Sequence, residues 1–272
     1  MNHSNNNVNK DSNNSIKEYW EKRLTDNYGL HGTGYIGLGK NYNSWMYKVR
    51  KIIVSRKLQK FKSNLGDAEV LDIGSGSGFY VDIWKQLGVK SITGCDITNV
   101  SVKKLKSKYP QSEFIEFDIS SNVIPISKQF DYVTAFDVLF HIVDDDKYAK
   151  AISNIYNLLK PNGILIFSEN FVHDKSTHNR FQSTRSLTEI QSLLQSSGFQ
   201  ILERSPMFYL MNTPVDSDGI LINKFWHVVK KTAGKGESFG LLVGSILYPL
   251  EIIMVSIKTE SPSTELMICK KQ

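Results

Sequence analysis

The stretch that most constrains the fold is Val70–Tyr80, which reads V-L-D-I-G-S-G-S-G-F-Y. Its apolar part, Glu69–Ile73, is typical of a buried parallel strand. The alternating glycines that follow can take backbone angles that other residues resist, and they place no side chain in the way of a ligand. Phe79–Leu87 is predicted as a helix. A glycine-rich loop between a strand and a helix binds nucleotides through its backbone, so we predict a nucleotide-type cofactor at the carboxyl edge of a parallel sheet.

Three more predicted strands bring distinctive residues to the same edge. They span Ser91–Asp96, Glu113–Ile119 and Phe130–Val138. Asp96 lies 18 positions after Gly78 by the numbering, about the spacing at which an acidic side chain accepts hydrogen bonds from ribose hydroxyls. The third strand ends in Asp118 and Ile119, where a carboxylate can meet an adenine amino group. The fourth runs into His141. Ligands bind at the carboxyl ends of the strands in open α/β sheets, so these residues are predicted to share one site.

At this point the chain resembles the class I S-adenosylmethionine-dependent methyltransferases. Asp72 lies two residues before the first glycine, and the spacing G-x-G-x-G fits that family better than the G-x-G-x-x-G of nicotinamide enzymes. Leu158–Ser168 resembles the family's later turn and fifth strand, and Thr184–Phe199 resembles the helix that follows. The resemblance covers roughly residues 64–210 and a final strand. It implies an α/β fold, a Rossmann-like seven-stranded, mostly parallel sheet flanked by helices.

The resemblance also implies S-adenosylmethionine as the cofactor. It assigns cofactor contacts to residues around the carboxyl ends of the first four strands, namely Asp72, Gly74, Ser75, Gly76, Gly78, Asp96, Ile97, Asp118, Ile119 and Phe136. The glycines are expected to line the methionine end, Asp96 the ribose, and Asp118 with Ile119 the adenine. Asp72 is expected either to approach the amino group or to fix the loop.

His141 is the candidate catalytic residue. A neutral hydroxyl is a poor nucleophile, so methyl transfer to an alcohol benefits from a general base. His141 follows the fourth strand, where the methyl group is expected to point; the alternative is a structural histidine packed beside the cofactor. The sequence suggests no metal-ligand set. It has no Asn/Asp-Pro-Pro-Tyr block after the fourth strand and no Pro-Cys motif, which disfavours methylation of nucleic-acid bases.

The sequence divides into five predicted segments. These are a disordered Asn- and Ser-rich tail (1–15), an N-terminal helical lid with a Gly- and aromatic-rich loop at Asn27–Tyr47 (16–63), the cofactor-binding core (64–212), a helical substrate-side insertion (213–262) and a final strand (263–272). A sixth strand is predicted at Gln200–Asn212 and an antiparallel last strand at Glu265–Lys271. The insertion contains predicted helices at Ile220–Thr232 and Phe239–Ile257.

Charge and hydropathy leave the partners open. The net charge is +6, and Lys48–Lys62 is predicted as a basic amphipathic helix. Such a helix either lies on the sheet with a solvated basic face or binds an anionic membrane, a phosphorylated substrate or RNA. Phe239–Ile257 is apolar, but Pro249 and Glu251 near its middle disfavour a membrane span. We expect a buried or substrate-lining helix there, with peripheral membrane contact as the alternative.

These observations predict a methyltransferase that acts on a small-molecule acceptor. The favoured acceptor group is a hydroxyl of a sugar, glycan or other metabolite. The alternatives are a lipid-linked or quinone-like acceptor at a membrane surface, a cofactor-binding scaffold without catalysis, and RNA methylation. Nucleic acid is the less favoured partner. The two cysteines suggest no disulfide framework, and the Asn-rich start does not have the pattern of a signal peptide, so a cytoplasmic location is expected, with membrane association as an option.

Overall fold

The computed structural model describes residues 5–61, 65–173 and 176–272, with side chains from residue 16 onward. Its main feature is a seven-stranded sheet of strand order β3-β2-β1-β4-β5-β9-β8. The strands are β1 (Glu69–Ile73), β2 (Ser91–Asp96), β3 (Glu113–Glu116), β4 (Phe130–Phe136), β5 (Leu159–Glu169), β6 (Thr177–His178), β7 (Ser183–Thr184), β8 (Phe199–Pro206) and β9 (Glu265–Lys271), of which β6 and β7 form a separate small hairpin. The predicted fold class is confirmed.

Helices cover both faces of the sheet. In chain order they are α1 (Asn5–Asp26), α2 (Leu30–Thr33), α3 (Gly39–Gln59), α4 (Phe79–Gln86), α5 (Asn99–Lys108), α6 (Asp145–Leu158), α7 (Leu187–Ser196), α8 (Ile220–Ala233) and α9 (Glu237–Ile257). Successive residues of a strand point to opposite faces. Val70 of β1 therefore packs with Leu58 and Trp84 on one side, whereas Leu71 packs with Ile152 on the other.

The end of the sheet farthest from β3 contains the reversed strand. β9 runs antiparallel to both β5 and β8 and lies between them. The sequence placed β9 correctly, at Glu265–Lys271, and it also placed β1 and β2 with the observed bounds.

Three strands end earlier than predicted, because a local interaction diverts the backbone. After Glu116, the Asp118 carboxylate accepts hydrogen bonds from the backbone N–H and the hydroxyl of Ser120, which makes a turn. After Phe136, Asp137 has φ 56°, which no extended strand accommodates. β8 ends at Pro206 rather than residue 212, because the N–H groups of residues 209–211 bond to the Glu251 carboxylate instead of a strand.

The N-terminal region is more helical than the sequence predicted. α1 begins at Asn5, within the segment expected to be a disordered tail, and residues 1–4 lie outside the described residues. Once the packed turns from Ile16 onward exist, each residue added N-terminally gains a hydrogen bond without a new nucleation cost.

The Gly- and aromatic-rich segment 27–47, predicted as a loop, contains α2, a 3-10 turn at Ile36–Leu38 and the first turns of α3. Tyr42, Met46, Val49 and Ile53 recur at helical spacing and are all buried, so some of the aromatic residues that suggested a loop belong to a helix face.

The predicted basic helix is the second half of α3, and Lys62 lies outside the described residues. Lys57 and Lys60 form ion pairs with Glu203, and Arg50 is buried. Part of the positive charge of this helix is therefore used in contacts within the domain. This supports a helix that packs on the domain over one that binds an anionic partner.

The helical insertion packs against α3. α9 is the one helix in the described part of the chain that is long and apolar enough to cross a membrane by length and composition. It instead presses one face on the domain through Gly240, Gly244, Leu247, Glu251 and Val255. A Cβ at Gly244 would lie 2.3 Å from the Trp45 ring, so glycine is required for α9 to approach α3 this closely.

Candidate cofactor site

A cavity opens at the carboxyl edge of the sheet, and its empty volume, counted together with the open solvent at its mouth, is about 1060 Å³. Nine of the predicted site residues line it, namely Gly74, Ser75, Gly76, Asp96, Ile97, Asp118, Ile119, Phe136 and His141. Residues from four successive parallel strands and the loops after them therefore meet in one place.

The glycine loop forms one wall of the cavity with bare backbone. Gly74 has φ 68° and Gly76 has φ 51°, in the left-handed region that favours glycine. A Cβ at Gly74 would lie 2.3 Å from Val138, and one at Gly76 would lie 2.9 Å from the Thr33 methyl group. The loop therefore needs glycine both for its backbone angles and for its close neighbours.

Asp72 and Gly78 lie beside the cavity rather than on its wall. The buried Asp72 carboxylate accepts a hydrogen bond of 2.7 Å from the Thr134 hydroxyl, and the Ser75 hydroxyl donates to the Asp72 carbonyl at 2.9 Å. Burial raises the pKa of Asp72 to about 6. Of the two roles predicted for Asp72, this geometry supports fixing the loop. Gly78 starts α4 with φ 81°, and its carbonyl accepts a hydrogen bond from Tyr109.

Asp96 joins the glycine loop to the end of β2. One carboxylate oxygen accepts from the Gly76 N–H at 2.9 Å, and the other accepts from the Thr98 N–H at 2.9 Å and the Thr98 hydroxyl at 2.6 Å. Burial raises the pKa of Asp96, and these hydrogen bonds oppose the shift. A carboxylate offers about four lone-pair sites, so Asp96 can still accept a hydrogen bond from a ligand in the cavity.

Apolar side chains line the cavity on two sides. On the β3 side, Asp118 and Ile119 follow the strand, and the Ile119 carbonyl accepts a hydrogen bond of 2.7 Å from the Asn154 side chain. On the β4 side, Phe136 stacks on Tyr80 with ring centroids 4.0 Å apart. An apolar side chain next to a carboxylate, as at Ile119 and Asp118, suits a heteroaromatic ring that carries an amino group.

His141 lies at the edge of the same cavity, in a 3-10 turn after β4. Its Nδ1 is 2.8 Å from the Phe181 carbonyl oxygen. A carbonyl only accepts hydrogen bonds, so Nδ1 carries the proton and Nε2 keeps its lone pair. Burial lowers the pKa of His141 to about 4, and Trp20 packs edge-on at 5.0 Å between ring centroids. The imidazole is therefore neutral at physiological pH.

The N-terminal helices contribute side chains to the cavity. Trp20 of α1, Thr33 of α2 and Tyr47 of α3 line it. The Tyr28 hydroxyl donates to the Gly76 carbonyl at 3.2 Å. The Glu21 carboxylate accepts from the first two backbone N–H groups of α5, at 2.7 and 3.0 Å. The Gly- and aromatic-rich composition pointed to this segment, although it did not single out these side chains.

Sequence reasoning missed an ion pair at the cavity, between a buried arginine and a partly exposed aspartate. Asp137 lines the cavity, and its carboxylate pairs with the Arg50 guanidinium of α3. The Ser168 hydroxyl donates to the same carboxylate at 2.9 Å. Arg50 is also 3.2 Å from the Tyr80 hydroxyl. The available signal was an acidic residue at the end of the fourth strand together with an arginine on the apolar side of the basic helix.

The chain is similar in sequence to known methyltransferases over the part that contains this site. Residues 71–167 match the family model of the methyltransferase domain. Over 106 residues the chain is 39% identical to juvenile hormone acid O-methyltransferase of Drosophila melanogaster, covering 36% of this chain and 35% of that protein. Over 120 residues it is 30% identical to ubiquinone biosynthesis O-methyltransferase of Histophilus somni, covering 41% and 48%. The matched region thus spans less than half of the length of each of these relatives.

The fold similarity extends further than the sequence similarity. The crystal structure of magnesium protoporphyrin IX methyltransferase from Synechocystis PCC 6803 with bound SAM superposes with a TM-score of 0.59 at 15% identity. The match covers 96% of this chain and 97% of that one. At this identity the similarity concerns the fold, and it includes the helices outside the matched domain.

Proposed function

We propose that this chain, which belongs to the class I S-adenosylmethionine-dependent methyltransferases, transfers a methyl group to a hydroxyl of a small-molecule acceptor. The observation that carries the proposal is the single cavity in which the glycine loop, Asp96, Asp118 and His141 meet. When bound, S-adenosylmethionine supplies an electrophilic methyl group on a positively charged sulfur. The two O-methyltransferase relatives support oxygen as the atom that is methylated.

The residues present fit this cofactor. The Gly74–Gly76 backbone would hold its methionine end, since this wall carries only one short side chain, that of Ser75. Asp96 would accept a hydrogen bond from a ribose hydroxyl with the one lone pair that Gly76 and Thr98 leave available. Asp118 would accept from the adenine amino group, and Ile119 would contact the ring. Phe136, at the end of β4, would line the cofactor cavity on the other side of β1.

His141 would orient the acceptor. Its neutral Nε2 can accept a hydrogen bond from an acceptor hydroxyl, which directs an oxygen lone pair into the cavity. A pKa of about 4 makes it a weak base, so the geometry favours hydrogen bonding and late proton transfer over full deprotonation before the methyl group moves. Positioning then supplies much of the rate.

An acceptor that is lipid-linked or quinone-like is a second candidate. The observation in its favour is the row of exposed apolar side chains on α9, a helix that packs against the lid helix α3. α3 also contributes Tyr47 to the cavity. An acceptor drawn from a membrane surface would therefore reach the site from the side that carries this face.

The test has two steps. Calorimetric titration with S-adenosylhomocysteine, with NAD as control, should give micromolar binding of the former alone. Incubation with S-adenosylmethionine carrying a tritiated methyl group and a panel of hydroxylated sugars, phenols and quinols should then label at least one acceptor. Binding of NAD instead of S-adenosylhomocysteine would contradict the proposal. Binding without transfer to any acceptor would favour the scaffold alternative.

A further inference from the structure

One surface of the molecule lies outside the cofactor cavity and is unusually apolar. Every third or fourth residue along α9 presents a large apolar side chain to solvent, and we call this row the outer face of α9. It consists of Phe239, Leu242, Ile246, Leu250, Ile253 and Ile257, each between 47% and 67% exposed. At 100° per residue these six positions fall within about 80° of one another. A continuous apolar row of this length is larger than the scattered apolar residues of an ordinary surface.

The opposite face of α9 is firmly held by the domain. Glu251 is fully buried, and its carboxylate accepts hydrogen bonds from the backbone N–H groups of residues 209–211. Burial raises the pKa of Glu251 to about 7. Gly244 packs directly against Trp45. A helix fixed in this way keeps its outer face in solvent as a feature of the folded molecule.

Basic side chains border the outer face of α9. Lys235 lies over the Phe239 ring at one end, with its ammonium 5.8 Å from the ring centroid. Lys258 directly follows the last residue of α9 at the other end, and its ammonium is 5.9 Å from the centroid of the Tyr209 ring. Along one side, Arg56 of α3 contacts Ser256 at 3.3 Å.

The two acidic residues of α9 do not offset this charge at the outer face. Glu251 is buried. Glu237 accepts hydrogen bonds from the first backbone N–H groups of α3, those of Lys40 and Asn41. The outer face is therefore apolar with a positive border.

We propose that the outer face of α9 and its basic border bind the surface of a membrane that contains anionic lipids. Such a helix lies in the plane of the interface, with its apolar side chains among the acyl chains and its lysines at the headgroups. The proposal does not depend on catalysis and holds whichever acceptor is methylated.

Charge argues against a second copy of the chain as the occupant. A two-fold symmetric contact would bring the same patch of both molecules together, so Lys235, Lys258 and Arg56 would approach the matching cations of the other copy. An anionic bilayer instead attracts these cations, and the attraction weakens with salt.

Sedimentation with vesicles tests the proposal on the full chain. Phosphatidylcholine vesicles that contain about 30% phosphatidylglycerol, an anionic lipid, should sediment with the protein bound. Pure phosphatidylcholine vesicles should not. Binding should fall in about 0.5 M salt. Equal binding to neutral vesicles, or no binding to either, would overturn the proposal.

Substitutions locate the contact. Ile246→Asn with Leu250→Asn should lower the partition coefficient at least about tenfold, since two apolar side chains no longer enter the bilayer. Lys235→Gln with Lys258→Gln should lower it about fivefold for each lysine. The matched controls are Val123→Asn, an exposed apolar residue elsewhere, and Lys106→Gln in α5, both of which should bind as the unmodified chain does.

Circular dichroism and binding of S-adenosylhomocysteine establish that each variant is folded. If the controls weaken binding as much as the α9 variants, the contact lies elsewhere and the proposal fails. The proposal also fails on a second combination of results: vesicle binding is absent, and light scattering shows a dimer that the α9 substitutions dissociate. A second copy of the chain would then cover the outer face of α9.

Discussion

Asp96 serves both the glycine loop and the cavity with one carboxylate. It fixes Gly76 on one side and Thr98 on the other, and it lines the cavity with one acceptor site left for a ligand. The sequence identified this residue because its spacing from the glycines is set by one helix and one strand. It did not reveal that the same carboxylate holds the loop, because the contact joins residues that are distant in the sequence.

Asp96→Asn should lower the affinity for S-adenosylhomocysteine about 10- to 100-fold, because the amide loses an acceptor and faces a backbone N–H with a donor. Isothermal calorimetry measures the change. The control is Asp82→Asn, an exposed residue of α4 that pairs with Lys108 on the surface. Affinity of the Asp96 variant within about twofold of the control would mean that Asp96 does not contact the cofactor.

His141→Gln should lower turnover about 100-fold and leave the affinity for S-adenosylhomocysteine nearly unchanged. Because burial lowers the pKa of His141 to about 4, the imidazole gains a proton only near that pH. The part of the rate that depends on His141 should therefore stay constant from pH 8 to about pH 5 and fall only as the pH approaches 4. Profiles of kcat against pH for both proteins check this, and a fall centred near pH 6.5 would contradict it.

At the scale of elements, the N-terminal helices, which were predicted as a lid, are held by contacts that the local sequence does not display. α3 begins at Gly39 without a capping side chain of its own, and Glu237, far along the chain, accepts its first N–H groups. α1 is tied down by Glu21 at the start of α5. The short apolar runs and the turn residues beside them predicted β1 and β2 with the correct bounds, because the sequence signals of a buried strand lie within the strand itself. A helix capped by a distant residue has no such signal, which is why part of the lid was predicted as a loop.

Glu21→Gln should loosen α1, because an amide compensates the positive end of α5 less well than a carboxylate does. We expect amide hydrogen exchange in residues 16–26 to accelerate about tenfold and S-adenosylhomocysteine to dissociate faster. Exchange measured by mass spectrometry and stopped-flow dissociation are the readouts. Glu18→Gln, at an exposed position of the same helix, is the control. Equal exchange in the two variants would show that Glu21 does not hold the lid.

At the scale of the whole molecule, several carboxyl groups are buried away from the cavity wall. Burial raises the pKa of Glu169 to about 8 and that of Glu251 to about 7. The sequence could not predict these shifts, because they depend on which side chains the completed fold encloses. Glu169, for example, lies beneath Tyr148 and near Arg185, residues of another helix and another loop.

The free energy of unfolding should therefore fall as the pH rises from about 6.5 to 8. In this range the folded protein keeps the proton of Glu169 up to about pH 8 and that of Glu251 up to about pH 7, whereas the unfolded chain has already lost both. Below about pH 6.5 the lowered pKa of His141 acts in the opposite direction. Glu169→Gln should reduce the fall by about 1 to 2 kcal/mol, as measured by urea denaturation without ligand. The surface variant Glu113→Gln should keep the full fall, and an unchanged slope in Glu169→Gln would contradict the assignment.

The position of β9 also sets an order of events during synthesis. β8 pairs in the sheet only with β9, which the ribosome makes after the whole of α8 and α9. Until Glu265–Lys271 leaves the ribosome, β5 has an unpaired edge and β8 has no neighbouring strand. The sheet is thus incomplete while both helices of the insertion are already made. Nascent chains arrested before Glu265 should remain sensitive to protease, and longer ones should become resistant within a few added residues. The timing of this late strand thus places the growing chain at its greatest risk of aggregation just before it finishes folding.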